Sequence, residues 1–169
     1  MIVGLDLETT GVNPKKCDIL EIALVGVKSN LTEVFSFHSL CRTEKPFKVW
    51  VAASKVHGIT PRVLEGVPSW GELKPVVEQL LSFRPLLIVG HNVVRYDSVI
   101  LRQHGIKAVD CCTFVDTMTE LVKPGEKWLK LEEAAKKFGV ESPGEAHTAL
   151  HDVWLSLKVA KAAGFLEEL

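Results

Sequence analysis

The sequence lacks any apolar run near the roughly 18–20 residues that a helix needs to cross a bilayer. It also lacks a basic segment followed by an apolar stretch at its start, so we expect neither a secretory signal nor a membrane partner. A cytoplasmic location is the default expectation. The composition, 47% hydrophobic and 24% charged in 169 residues, is that of a globular chain with a substantial core.

Cysteine pairs with the spacing of metal ligands are absent as well. Of the four cysteines, Cys111 and Cys112 are adjacent, whereas Cys17 and Cys41 stand alone. This spacing disfavours a cysteine-based metal site, and we expect reduced, mostly buried thiols. Repeats, low-complexity tracts and linker-like segments are also missing, which predicts a single domain over residues 1–169.

An excess of basic charge is missing too, since the net charge at pH 7 is −1. Domains that bind nucleic acid often carry a basic surface, so this value at first argues against such a partner. Several acidic residues are candidate metal ligands, however, and two bound divalent ions would add four positive charges. The charge of the metal-free chain therefore neither supports nor excludes a nucleic-acid partner.

The hydrophobic patterns predict an α/β class with a mixed sheet, because the strands come early as a hairpin and then alternate with helices. Strands are predicted at 2–8, 19–27, 31–37, 86–90 and near 109–113. Helices are predicted at about 48–56, 70–83, 96–104, 131–138 and 147–163, and near 115–122.

Two acidic residues end the first predicted strand. Asp6 and Glu8 are two positions apart, so both side chains leave the same face of the sheet, while Leu5 and Leu7 suit the core on the other face. A solvated face would explain the pair. Coordination of hard cations such as Mg²⁺ or Mn²⁺, which prefer oxygen ligands, is the functional alternative, and the pair alone is weak evidence for it.

A second group of polar residues follows the predicted buried strand 86–90. His91 and Asn92 come directly after its carboxyl end, where open α/β sheets place their ligand sites. Asp97 then lies at the start of the next predicted helix, above the same sheet. An Asp at that position also suits a helix N-cap, so both roles stay open for Asp97.

A third group lies near the end of the chain, where His147 precedes Asp152 by five positions. Five residues along a helix rotate by about 140°, so the two side chains converge only if His147 lies in the loop or first turn. That arrangement suits a general base on a mobile segment beside a metal ligand on a rigid one. His147 and His151 also have the spacing of a zinc-binding helix, but the Glu of H-E-x-x-H is missing.

Together these groups resemble the four sequence blocks of the DEDDh (DnaQ-like) 3′–5′ exonucleases. The blocks are Asp6-Leu7-Glu8-Thr9-Thr10-Gly11, His57-Gly58-Ile59-Thr60, His91-Asn92 with Tyr96-Asp97, and His147 with Asp152. Each block alone is only moderately specific. All four occur in the family's order and extend over residues 6–152, which makes the resemblance strong.

The resemblance implies an RNase H-like, three-layer fold with a mixed sheet of about five strands flanked by helices. It implies that two divalent cations, Mg²⁺ or Mn²⁺, are held by Asp6, Glu8, Asp97 and Asp152. It further implies that His147 is the base that deprotonates the attacking water. Two ions roughly 4 Å apart activate the nucleophile and stabilise the leaving 3′ oxygen, and a nucleoside 5′-monophosphate is released.

The same resemblance implies a pocket for the terminal nucleotide. Its substrate-binding residues would be Thr9, Thr10, Val12, His57, Ile59 and Asn92. The block around Asp97 has the longer form His-Asn-x-x-Arg-Tyr-Asp, which looks more like the Trex and exonuclease I branches. Those branches act on DNA, often on single strands, so the sequence favours single-stranded DNA over RNA.

Three alternatives remain at this point. An RNA-trimming enzyme similar to RNase T or oligoribonuclease would need contacts to the 2′-OH, which the sequence does not locate. A proofreading subunit would act mainly through a DNA polymerase, and we expect no tethering tail after the last predicted helix. A catalytically silent nucleic-acid-binding domain is disfavoured by the complete set of four acids and one His. A replication or repair partner and a homodimer both stay open.

Basic residues could follow a phosphate backbone across the surface. Those that look exposed are Lys15, Lys16, Arg95, Arg102, Lys123, Lys127 and Lys130. Trp128 lies among the last of them and could stack on a base, but we expect it to cover the core.

Overall fold

The computed structural model describes residues 1–83, 86–123, 125–142 and 148–166. Five strands form one sheet in the order β3-β2-β1-β4-β5. They are β1 (Ile2–Thr9), β2 (Ile19–Val27), β3 (Glu33–Leu40), β4 (Leu87–Gly90) and β5 (Thr113–Asp116). The first three pair antiparallel, whereas β4 runs parallel to β1 and β5. The predicted mixed sheet is confirmed.

The helices surround this sheet. They are α1 (Val51–His57), α2 (Trp70–Leu80), α3 (Asp97–Gln103), α4 (Leu131–Lys137) and α5 (Ala149–Ala162). Short 3-10 turns precede or join some of them. No helix in the described part of the chain is long and apolar enough to span a membrane.

The sheet is buried on both faces. On one face, α2 and α3 contribute Val77 and Ile100 to a buried cluster with Leu5 of β1. On the other face, α5 contributes Val153 and Leu157 to a second cluster, which includes Ile2, Val25 and Val89. This three-layer arrangement is the predicted RNase H-like fold.

Helix α5 packs closely against β1 at Gly4. Strand alternation puts Ile2, Gly4, Asp6 and Glu8 on the face that α5 covers. A Cβ atom on Gly4 would lie 2.6 Å from Val153 Cγ1, so only a glycine allows the helix to pack at this distance. The helix crosses β1 directly before Asp6, and this places its first turn beside the two acidic side chains.

The predictions for residues 109–122 are wrong. A 3-10 helix spans Ala108–Cys111 in place of the predicted strand near 109–113, and β5 follows at Thr113–Asp116. The predicted helix near 115–122 is a series of turns. The reason is Asp116, whose carboxylate accepts backbone N–H groups of neighbouring loops and so ends the strand in a turn instead of starting a helix.

Smaller boundary differences occur elsewhere. The predicted helix at 48–56 is divided into a 3-10 turn at Phe47–Val49 and α1, with Trp50 between them. Strand β3 begins two residues later than predicted and extends to Leu40. Leu31 has a positive φ of 66°, which belongs to a turn and not to a strand.

Candidate active site

Three carboxylates meet where β1 passes the first turn of α5. Asp6 and Glu8 come from the strand, and Asp152 comes from the helix, which begins after the N-cap residue Thr148. One carboxylate oxygen from each residue lies within 4.8 Å of the others. An all-oxygen donor set of this size suits Mg²⁺ or Mn²⁺.

The fourth predicted acid, Asp97, is the first residue of α3. Tyr96 is the N-cap residue of this helix. Asp97 therefore does not have the N-cap role that the sequence left open for it. Asp97 is buried, and it lines the same cleft as the other three acids. It lies outside the three-residue group defined by the 4.8 Å spacing.

The electrostatics of this cluster are those of a site for cations. The pKa values of Asp6 and Asp97 are raised well above the usual range, first because both carboxyl groups are buried. For Asp6 the next causes are the negative charges of Asp97 and Glu8. Burial also raises the pKa of Glu8 to about 8, with the charge of Asp152 as the next cause. Carboxylates at this density are costly unless cations neutralise them, so the residues present fit divalent ions.

Asp116, which sequence reasoning missed, shapes the loop between β4 and Asp97. This residue is 1% exposed and lies opposite Gly90 on the neighbouring parallel strand. Its carboxylate accepts the backbone N–H groups of Asn92 at 2.8 Å, Val94 at 3.1 Å and Met118 at 3.0 Å. An acid directly after an apolar run at the carboxyl end of a strand was the available signal.

His91 fixes a second loop at the same edge of the sheet. Its Nδ1 lies 3.0 Å from Thr117 Oγ1, and its Nε2 lies 3.0 Å from the Leu129 carbonyl oxygen. Burial lowers the pKa of His91, so the neutral ring is favoured. His91 thereby holds the segment before α4 against the end of β4.

Buried Glu21 pairs with the more exposed His38 behind the carboxylates, and sequence reasoning missed both residues. Glu21 lies directly opposite Glu8 on β2 and is 5% exposed. Its Oε1 lies 2.5 Å from His38 Nε2 on β3, and its Oε2 accepts the backbone N–H of Ala149, the first residue of α5. The signal was a single acid in an otherwise apolar strand.

The larger cleft, with a volume of about 490 Å³, contains the four acids. Its remaining walls come from the loop after β4 and from the segment before α4, including Asn92, Tyr96, Trp128 and Lys130. Asn92 has a positive φ of 65°, which turns the chain sharply after β4 and brings this residue to the cleft.

A second cleft of about 390 Å³ adjoins the group of acids at Glu8. It is lined by the loop after β1 and by α1, and four of the predicted substrate-binding residues, Thr9, Thr10, Val12 and His57, are among its walls. Val49 and Val56 add exposed apolar surface. Glu8 and Tyr96 line both clefts, so the two clefts meet at the carboxylates.

Hydrogen bonds fix the loop between the clefts. Tyr96 Oη lies 2.6 Å from Thr9 Oγ1 and donates to the carbonyl oxygen of Gly11. His57 Nε2 lies 3.2 Å from the Thr9 carbonyl oxygen, and its Nδ1 accepts the N–H of Ile59 at 3.1 Å. Ile59 itself is 6% exposed and packs in a buried cluster with Trp50, so its link to the cleft runs through His57.

The predicted base, His147, lies outside the described residues. The residue that follows it in the chain, Thr148, is the N-cap of α5, and its side chain accepts the N–H of His151. His151 Nε2 lies 3.0 Å from Ser142 Oγ. His151 is thus committed to a contact other than the carboxylate group.

Known proteins resemble this chain over most of its length. Residues 3–160 match the model of the family described as Exonuclease (RNase_T). The chain is 29% identical to the DNA polymerase III subunit epsilon of Aquifex aeolicus (strain VF5), over 93% of this chain and 77% of that protein. It is 26% identical to the uncharacterized exonuclease CP81 of Escherichia phage 186, over 95% of this chain and 86% of that protein.

Among solved structures, E. coli exonuclease I in complex with a dA16 oligonucleotide has a TM-score of 0.81 at 20% identity, and the match covers 98% of this chain. The chain spans 41% of the length of that exonuclease I. This likeness shows the shared fold, and the family match covers nearly the whole sequence. The chain therefore belongs to the exonuclease family, as a DEDD-type 3′–5′ exonuclease of the RNase H-like superfamily.

Proposed function

We propose that the protein removes nucleotides one at a time from the 3′ end of DNA, prefers single strands, and releases nucleoside 5′-monophosphates. The observation that carries this proposal is the meeting of two clefts at the carboxylates. A strand with its scissile phosphate at Asp6 and Glu8 would have its terminal nucleoside in the smaller cleft. The rest of the strand would leave through the larger one.

The metal ligands in this proposal are Asp6, Glu8, Asp97 and Asp152, which would hold two ions of Mg²⁺ or Mn²⁺. When bound, such ions polarise the phosphate, lower the pKa of water and stabilise the leaving 3′ oxygen. The protein's own contribution is a buried cluster of carboxyl groups. Because the pKa values of these groups are raised, they release protons when cations bind.

His147 is the general base in this proposal. Its role is implied by the family resemblance and by its position in the chain, five residues before Asp152. An imidazole nitrogen of His147 would take a proton from the attacking water. The near-neutral pKa of imidazole suits this transfer at physiological pH.

The smaller cleft supports the proposed placement of the terminal nucleoside. Its apolar side chains Val12, Val49 and Val56 offer surface to a base or sugar, and Val12 is 94% exposed. The loop after β1 is fixed by Tyr96 and His57, so its backbone groups are pre-positioned. Preorganisation of this kind lowers the entropic cost of binding.

DNA is the favoured substrate because the relatives carry DNA-related names. One is a DNA polymerase III subunit epsilon, and the exonuclease I structure holds a DNA oligonucleotide. The epsilon relatives also favour a second candidate role, an exonuclease that associates with a DNA polymerase.

A degradation assay tests the proposal. Single-stranded DNA and RNA of the same sequence, each labelled at the 5′ end, are incubated with the protein in Mg²⁺, Mn²⁺ or EDTA. We expect a ladder that shortens from the 3′ end, faster on DNA, and its loss in EDTA or in Asp6→Ala. The matched control is Asp110→Ala, which removes an exposed acid far from the clefts. If neither polymer is degraded in Mg²⁺ or Mn²⁺, the proposal is wrong, and faster degradation of RNA would reassign the substrate.

A further inference from the structure

Trp128 does not cover the core, contrary to the expectation from sequence. Its side chain is 45% exposed and forms part of the wall of the larger cleft. The guanidinium group of Arg95 lies over the indole ring, 4.5 Å from the ring centroid. Arg95 is itself exposed and comes from the loop between β4 and α3. An aromatic ring and a cation from two different loops therefore meet at the edge of the cleft.

The backbone directly after Trp128 is anchored. The next residue, Leu129, is held through its carbonyl oxygen by His91. Lys130 is the N-cap of α4, and its N–H donates to Glu133 at 2.8 Å. The ring is thus presented by a fixed segment, which matters because an unanchored side chain would lose binding free energy to ordering.

This pair has the chemistry that recognises single-stranded nucleic acid. Aromatic rings on the wall of a cationic groove stack with bases regardless of sequence, since every base has a π-face. A guanidinium group binds a phosphate with two parallel hydrogen bonds. Arg95 is also restrained by its cation–π contact, so less side-chain freedom is lost when it binds an anion.

The position of Trp128 and Arg95 indicates which part of a nucleic-acid strand they would contact. The smaller cleft meets the larger one at Glu8 and Tyr96, and the proposed function assigns it to the terminal nucleoside. Trp128 lines the larger cleft, to which the proposed function assigns the rest of the strand, and Arg95 lies over its ring. Lys130 lines the same wall and adds a second cation.

We infer that Trp128 and Arg95 form a binding site for the nucleotide on the 5′ side of the scissile phosphate. The base stacks on the face of the Trp128 ring opposite Arg95, and Arg95 binds a phosphate of the same strand segment. This inference rests on the proposed function, since it names how the departing strand is held. It makes Trp128 and Arg95 positioning residues, which act on affinity and not on the chemical step.

Two substrates separate this role from a structural one. The first is a short single-stranded DNA oligonucleotide. The second is the 4-nitrophenyl ester of thymidine 5′-monophosphate, which has a terminal nucleoside and a phosphodiester but no nucleotide on the 5′ side. We expect Trp128→Ala to raise KM for the oligonucleotide by about 5- to 100-fold, the range expected for loss of one base stack. Its kcat on the oligonucleotide and both constants on the ester stay within about twofold of the wild type.

Three further variants test the roles of Trp128 and Arg95. Trp128→Phe keeps an aromatic face and should recover most of the oligonucleotide affinity. Arg95→Ala should also raise KM for the oligonucleotide alone and should reduce the dependence of KM on salt, because a phosphate contact is lost. Phe83→Ala removes an exposed aromatic side chain far from the clefts and is the matched control with no expected effect.

Each other outcome contradicts the inference. Equal losses on both substrates would mean that Trp128 supports the structure of the site, and an unchanged KM for the oligonucleotide would mean that it binds no base. A wild-type protein that hydrolyses neither substrate would overturn the proposed function instead, so the two failures are distinguishable.

Discussion

The Asp116 carboxylate accepts the backbone N–H of Asn92 at 2.8 Å, across the carboxyl ends of β5 and β4. Asn92 has a φ of 65°, a conformation that few residues other than glycine adopt. The acceptor stabilises the turn that leads from β4 to Asp97. A buried acid outside the group of four carboxylates thus contributes to the position of Asp97, one of the proposed metal ligands.

Asp116→Asn should therefore impair both stability and activity. The amide presents an N–H₂ group where a carboxylate oxygen accepts a backbone N–H, so at least one buried donor loses its partner. We expect a loss of about 1–3 kcal/mol in the free energy of unfolding, measured by urea titration. We also expect exonuclease turnover to fall by at least about tenfold, because small displacements of catalytic groups are costly.

Asp110→Asn is the control for this substitution. Asp110 is exposed and pairs with Arg102 on the surface, so its loss should change the free energy of unfolding by less than about 1 kcal/mol. Equal effects of the two substitutions would show that Asp116 does not organise the turn.

Much of the site was predictable because it depends on local periodicity. The two-residue spacing puts Asp6 and Glu8 on one face of β1, and the helical start after Thr148 puts Asp152 in the first turn of α5. These two positions follow from strand and helix geometry alone and do not depend on which residues pack against them. The order of the motifs along the chain then identified Asp6, Glu8, Asp97, His147 and Asp152 as one set of candidate site residues.

The missed residues depend on contacts that are distant in sequence. Asp116 has its role through Asn92, 24 positions away, and Glu21 has its role through Ala149, 128 positions away. No local pattern encodes such pairs. The exposure of Trp128 was missed for a similar reason, since it depends on how His91 holds the adjacent Leu129.

Gly4→Ala should disturb the position of Asp152. The added methyl group would lie 2.6 Å from Val153 Cγ1 and 2.8 Å from Leu157 Cδ1, so α5 must shift away from β1. Overpacking of this kind costs about 1–3 kcal/mol, and the shift should also lower turnover. Thermal unfolding and the ladder assay measure the two effects.

A second substitution checks this mechanism. Val153→Ala removes the nearer of the two side chains that the new methyl group meets, so the double variant should be less impaired than the sum of the single variants. Gly71→Ala, at a position with open space near the start of α2, should be neutral or stabilising. Strict additivity of the two core substitutions would argue against the steric explanation.

The metal-free protein should lose stability as the pH rises through the neutral range. The pKa of Glu8 is raised from its ordinary value of 4.5 to about 8, and the pKa values of Asp6 and Asp97 move in the same direction. Between those values the folded state holds protons that the unfolded chain has released. The stability that protonated Glu8 contributes is fully present below pH 4.5 and is lost as the pH rises through about 8.

Melting temperatures in EDTA and in Mn²⁺ at pH 6 and pH 8.5 test this expectation. Divalent ions bind the deprotonated carboxylates, so the stabilisation by Mn²⁺ should be larger at the higher pH. Glu8→Gln should reduce the pH dependence in EDTA. A stabilisation by Mn²⁺ that is equal at both pH values would contradict the proton–metal linkage.

Filling the smaller cleft should block the terminal nucleoside. Ala53 lines this cleft and is half-buried, so Ala53→Phe would place a ring in the space assigned to a base or sugar. We expect kcat/KM to fall by at least about tenfold on the oligonucleotide and on the nitrophenyl ester alike. Ala162→Phe, at the exposed end of α5, is the control. A loss on the oligonucleotide alone would place the terminal nucleoside elsewhere.

His147 and His151 offer a matched comparison for the role of the base. Both are histidines near the start of α5, but only His147 has the position that the family assigns to the base. We expect His147→Ala to lower kcat by about 10²- to 10⁴-fold, the usual contribution of a general base. The stabilisation by Mn²⁺ should persist in this variant, because the four acids remain. His151→Ala removes a contact to Ser142 and should retain most of the activity. If His147→Ala instead abolished the stabilisation by Mn²⁺, His147 would be a metal ligand and another group would have to accept the proton.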